Sequence, residues 1–176
     1  PTGAVMTKED LEPIAKICQE KDIYVISDEI YSELTYGGQK HCSISSLPGM
    51  KERTIVINGF SKAYAMTGWR LGYALAPEVI AHQMTKIHQF AIMCAPTTSQ
   101  YAAIEAIKNG DADIEKMCKS YDQRRRFLLK KFEEIGLPCF EPHGAFYVFP
   151  CIKEFGITSD EFATRLLREE ELAVVP

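Results

Sequence analysis

Apolar positions along this chain fall into two alternating rhythms, one of period near 3.6 and one of short unbroken runs. Thr7 with Asp10 three residues later opens the first helical stretch, Asp standing in for the Glu or Gln of a capping box. Leu11, Ile14, Ala15 and Cys18 then share one face, and Lys21-Asp22 ends it. Ile23-Tyr24-Val25-Ile26 and Thr54-Ile55-Val56-Ile57 are apolar, β-branched runs, the pattern of strands buried on both faces of a parallel sheet. Leu71 to Ala76 is a third strand candidate. Pro77 opens a helix at its first position, with Glu78 favourable to the dipole, running to about Phe90. Gly37-Gly38 and Pro48-Gly49 read as turns, and Ala95-Pro96-Thr97-Thr98 as a break.

Beyond that break the pattern predicts a helix over 99–108 stopped by Asn109-Gly110, then a long charged helix from Ala112 to Ile135 stopped by Gly136. Leu137 to Phe140 and Ala145 to Phe149 read as short strands of a hairpin around Pro142-His143-Gly144. Thr158-Ser159-Asp160-Glu161 starts a last helix to about Glu170, and Leu172 to Val175 reads as a strand. Alternating strands and helices in the first part predict an α/β fold with a mostly parallel sheet and flanking helices. A long helix, an antiparallel pair and a further helix predict the start of a smaller α+β domain. The division falls near Asn109-Gly110, giving 1–110 and 111–176. Pro1-Thr2-Gly3 has nothing before it and an apolar strand stops at Pro176, so a piece of a longer protein is expected.

Composition narrows the partners. The 176 residues carry a net charge of −4, which does not indicate general nucleic-acid affinity. No apolar run approaches a membrane span, and no signal peptide is visible. The six cysteines, at 18, 42, 94, 118, 139 and 151, form no C-x-x-C pair and read as buried, reduced thiols of a cytoplasmic protein. The four histidines have no ligand spacing, so no metal site is expected. Arg124-Arg125-Arg126 reads as the solvated face of a charged helix, since Glu133 and Glu134 follow on it.

The chemistry gathers at two strand ends, where ligands of open parallel sheets bind. Asp28 follows the first strand; Ser61 and Lys62 follow the second; Arg70 precedes the third. A lysine amine can take a phosphate-bearing aldehyde as a Schiff base. A carboxylate can keep a pyridinium nitrogen protonated, and a guanidinium fork pairs with two phosphate oxygens. Ser61 can add a hydroxyl to the phosphate, and Tyr31 can reach back to a phenolic oxygen. These types suit pyridoxal 5'-phosphate. Singly, each has a plainer reading: Asp28 caps its turn, Lys62 and Arg70 are solvated, Tyr31 packs. Jointly, two strand-end motifs at this separation favour the cofactor.

The stretch from Gly59 to Gly72, GFSKAYAMTGWRLG, resembles the lysine signature of class I/II pyridoxal-phosphate aminotransferases of fold type I. Ser27-Asp28-Glu29-Ile30-Tyr31 is similar to the family's aspartate-to-tyrosine segment. Pro1-Thr2-Gly3, Ala95-Pro96-Thr97-Thr98-Ser99-Gln100 and Gly144-Ala145-Phe146-Tyr147 also resemble family segments. The resemblance implies that 1–110 is the C-terminal half of the cofactor-binding large domain and 111–176 part of the small one. It implies Lys62 as the Schiff-base lysine and proton carrier, Asp28 on the pyridine nitrogen, and Tyr31 on the phenolic oxygen. Ser61 and Arg70 would bind the phosphate. It further implies amino-acid and 2-oxo-acid substrates and a homodimer. Gly59 departs from the pattern, standing where many members carry a phosphate-binding serine. Other chemistries on the scaffold are a carbon–sulfur lyase or a cyclising synthase, and a cofactor-sensing regulator is a third class.

Overall fold

A computed structural model describes residues 2–176; Pro1, and with it the start of the Pro1-Thr2-Gly3 motif, lies outside the described residues. Helix α1 spans Lys8–Glu20 and begins as its sequence predicts. The Thr7 side chain accepts from the Asp10 backbone N–H, and the Asp10 carboxylate accepts from the Thr7 backbone N–H at 2.8 Å. Its buried Leu11, Ala15 and Cys18 pack on Ile44, Leu47 and Met50, with Val25 and Cys42 at the edge.

Three strands form one sheet in the order β1 (Val25–Asp28), β2 (Thr54–Gly59), β3 (Gly72–Leu75). β1 and β2 are parallel, with Asp28 opposite Ile57. β1 lies two residues later than predicted, so Asp28 is its last residue rather than the one beyond it. β2 and β3 are antiparallel, Gly59 facing Gly72. Only turns and the 3₁₀ turn Thr67–Trp69 link them, with no α-helix to carry the crossover a parallel pair usually uses. Gly59 makes this approach close. A Cβ there would sit 3.0 Å from the Gly72 Cα and 3.1 Å from the Leu71 carbonyl oxygen, so a serine requires β3 to give by a few tenths of an ångström.

Helices α2 (Glu78–Ala91), α3 (Thr97–Asn109), α4 (Asp111–Glu134) and α5 (Ser159–Glu169) complete the chain. Pro77 caps α2 instead of occupying its first position. The predicted hairpin over 137–149 does not form: only an isolated bridge joins Cys139 to Pro150. The backbone of 142–145 is engaged elsewhere. The His143 and Gly144 N–H groups donate to the Gly3 carbonyl, Ala145 N–H donates to Leu34, and Tyr36 N–H donates to His143. Leu172 to Val175 likewise forms no strand.

Burial corrects two further expectations. The sheet is open: Ile26 is 75% exposed and β3 is exposed throughout, where strands covered on both faces were expected. Of the cysteines only Cys18 is buried, while Cys94 and Cys151 are exposed; all six are free thiols. Arg125 is buried, not solvated. It bonds Asp122 at 2.9 Å, Glu141 at 2.9 Å and the Pro142 carbonyl at 3.1 Å, and its guanidinium lies 5.5 Å from the Tyr36 ring centre. No helix of the described residues is long and apolar enough to cross a membrane.

Candidate active site

Two parallel neighbours bring their carboxyl ends, and the turns beyond those ends, to one edge of the sheet. Asp28 closes β1. One of its oxygens accepts from the Ile30 N–H at 3.1 Å, so it does cap its own turn, as the plainer reading holds. That bond occupies one carboxylate oxygen and leaves the other. The turn carries the chain into Tyr31.

After β2 the chain makes a tight turn over Ser61 to Tyr64, closed by Ala65 N–H donating to the Lys62 carbonyl at 3.2 Å. Phe60, Ala63 and Met66 point inward and are buried, Phe60 and Met66 against Ala103 of α3. With those three facing the core, Ser61 and Lys62 are left on the half-open side. Lys62 Nζ lies 5.5 Å from the ring centre of Tyr31 and 5.0 Å from that of Phe146. Among the described residues it has no ion pair and no hydrogen bond.

The two aromatic walls come from opposite ends of the chain. Tyr31 and Phe146 meet edge to face at 5.3 Å and 83°. The Tyr31 hydroxyl lies 2.8 Å from that of Tyr147, the two rings at 5.8 Å and 73°. Burial above all, with the Asp28 charge beside it, pushes the Tyr31 phenol above its ordinary value of 10, so it stays protonated at neutral pH. The turn that aims Phe146 and Tyr147 inward passes through Ala145, which has a positive φ of 59° and is buried. Tyr36 donates its hydroxyl to the Ala145 carbonyl at 2.5 Å and helps hold that strained turn.

The structure therefore brings Asp28, Tyr31 and Lys62 to one edge. Ser61 shares the half-open turn with Lys62, and Arg70 lies on the loop before β3; neither hydrogen-bonds the other three among the described residues. Arg70 is exposed, has a left-handed backbone (φ 52°), and donates one Nη1–H to the Thr67 carbonyl at 2.8 Å. The remaining donors of its fork are uncommitted, and the Ser61 hydroxyl has no partner among the described residues. Sequence reasoning misses Phe146 and Tyr147 as site residues. Their only local signal is an aromatic pair after the Gly144 turn.

These polar groups fit pyridoxal phosphate: an amine over two aromatic rings with no counter-ion among the described residues, a carboxylate with a spare oxygen, a protonated phenol, a hydroxyl and a guanidinium with free donors. Among the described residues no cluster of His, Cys, Asp and Glu could hold a metal.

The family model described as aminotransferase class I and II matches residues 1–176. The putative aminotransferase YugH of Bacillus subtilis is 56% identical over 176 residues, covering all of this chain and 45% of that protein. An aspartate aminotransferase of Pyrococcus abyssi is 49% identical over 178 residues, again over all of this chain and 46% of the relative. The solved aromatic aminotransferase from Pyrococcus horikoshii superposes with a TM-score of 0.96 at 49% identity, over all of this chain and 48% of that one. The fold is that of the aspartate-aminotransferase-like, fold type I enzymes. The chain belongs to the class I and II aminotransferase family, whose members depend on pyridoxal phosphate. It spans about half the length of the curated relatives it matches.

Proposed function

We propose that this chain supplies the lysine-bearing part of a pyridoxal-phosphate-dependent aminotransferase, which moves an amino group from an amino acid to a 2-oxo acid. The observation that carries this reading is Lys62 Nζ, without an ion pair or hydrogen bond among the described residues, over the touching Tyr31 and Phe146 rings and beside a parallel strand that ends in Asp28. The bound cofactor supplies an aldehyde for covalent attachment and an electron-withdrawing ring.

This chain's residues do the rest. Lys62 offers the amine that joins the aldehyde. As a free amine it would take a proton from the substrate α-carbon and deliver it to the cofactor side, the shift that moving an amino group requires. Asp28 accepts the pyridinium N–H with its spare oxygen. Tyr31, protonated, donates to the phenolic oxygen. Arg70 pairs its fork with the phosphate and Ser61 adds a hydroxyl; Gly59 adds no side-chain donor, because a Cβ there would meet β3.

In this reading residues 1–110 are the C-terminal half of the large domain and 111–176 part of the small one, lending Phe146 and Tyr147 across the division. The open faces of β1, β3 and α2 support further chain and a second subunit packing there, and the free thiols support a cytoplasmic setting. Supplying the full-length protein with amino acids and 2-oxoglutarate tests the function. The expected products are glutamate and the matching 2-oxo acid in equal amounts. Release of pyruvate and ammonia instead would assign a lyase.

A further inference from the structure

Tyr31 presents a difficulty that its neighbour resolves. A phenol has one proton to give and lone pairs to receive. The Tyr31–Tyr147 contact at 2.8 Å is a hydrogen bond in which either hydroxyl can be the donor. If Tyr31 gives its proton to Tyr147, none is left for a cofactor oxygen. The Tyr147 hydroxyl has no other hydrogen-bond partner among the described residues, so its proton is free to go to Tyr31. That direction leaves Tyr31 with its own proton aimed outward.

We propose that Tyr147 is a positioning residue: it donates to Tyr31 and thereby fixes Tyr31 as the donor to the cofactor's phenolic oxygen. This rests on the proposed cofactor role of the chain and concerns that same site. Two donations in series polarise one another, strengthening each bond by roughly 10–30%. The geometry is built rather than incidental. The Phe146 and Tyr147 rings lie 4.9 Å apart, tilted by 48°, both meet Tyr31 edge-on, and the segment that carries them is tied to Gly3, Leu34 and Tyr36. The charged and titratable groups facing Tyr31 are Asp28 from its own strand end, Lys62 over its ring and Tyr147 from the opposite segment. Of these only Tyr147 hydrogen-bonds the Tyr31 hydroxyl.

The test reads the visible absorbance of cofactor bound to the full-length protein as pH is varied, with borohydride fixation as a check of loading. A weaker Tyr31 donor stabilises the phenolate less. Tyr147→Phe should therefore raise the midpoint of the absorbance change by about 0.3 pH unit. Tyr31→Phe should raise it further, and the double variant should match Tyr31→Phe alone. Placing 3-fluorotyrosine at 147 keeps the shape and strengthens the donor, and should lower the midpoint; this arm stands even where Tyr147→Phe folds poorly. A midpoint unmoved by both changes at 147, or additive shifts in the double variant, would overturn the positioning role. Wild-type protein that borohydride cannot label would instead overturn the cofactor role itself.

Discussion

At the residue scale, the site depends on side chains whose partners are partly withheld. Asp28 spends one oxygen on its own turn and keeps one for a ligand. Asp28→Ala should therefore leave the fold intact and weaken catalysis. Loss of one charge-assisted bond, worth about 3 kcal/mol, corresponds to roughly a hundredfold fall in kcat/KM. Steady-state kinetics of the full-length variant, with circular dichroism to confirm folding, checks this; a change under threefold would remove Asp28 from the site. Asp28, Lys62 and Tyr31 are legible in the sequence because their positions derive from local facts, a β-branched run ending at a polar residue. Tyr147 is not, since its partner lies 116 residues away and no periodicity links them. Glu29 carries no sequence signal of its own either. It is buried, accepts from the Ser27 and Ser43 hydroxyls, and pairs with His41 at 2.8 Å, so it anchors the turn between Asp28 and Tyr31.

At the element scale, the unexpected piece is the link between α4 and the segment after it. Arg125 reads as solvated in the sequence because its helix is charged on most faces. Its burial depends on Glu141 and Pro142, which helical periodicity does not register. The hairpin over 137–149 fails for the same kind of reason: Gly144 pairs with Thr35, so the local strand signal loses to a tertiary one. The α1 capping box, by contrast, lies within four residues and is legible directly. Arg125→Met should destabilise the protein by about 2 kcal/mol. That is less than for a fully buried pair, because Glu141 is 61% exposed and can be rehydrated. Differential scanning calorimetry should show the midpoint several degrees lower.

The pH dependence of the same contact has a definite sign. Arg126, and then Arg125, hold the Asp122 carboxyl below its ordinary 3.8, against the opposing effect of burial. A depressed folded value stabilises the protein fully above 3.8 and is lost as pH falls through it. Acid unfolding curves of Arg125→Met should accordingly be shallower than wild type below pH 4.

At the scale of the whole molecule, surface area is the informative quantity. A compact chain of this length exposes roughly 8,600 Å². These residues expose 12592 Å². Large apolar side chains stand in that surface: Phe90 is 97% exposed, Val79 77% and Met93 79%, and α2 buries no residue. Patches of that size mark surfaces that pack against something. Expressed alone, the 176-residue chain should bind ANS, sediment as oligomers or aggregates, and show no transamination. A monodisperse, ANS-silent monomer on ultracentrifugation would contradict this.

The most direct measurement is where pyridoxal phosphate becomes fixed. Full-length protein is incubated with the cofactor, reduced with borohydride, digested and mapped by mass spectrometry. The predicted result is one phosphopyridoxyl group on Lys62, absent from Lys62→Ala. No label, or a label on another lysine with Lys62 unmodified, would contradict the assignment of this site.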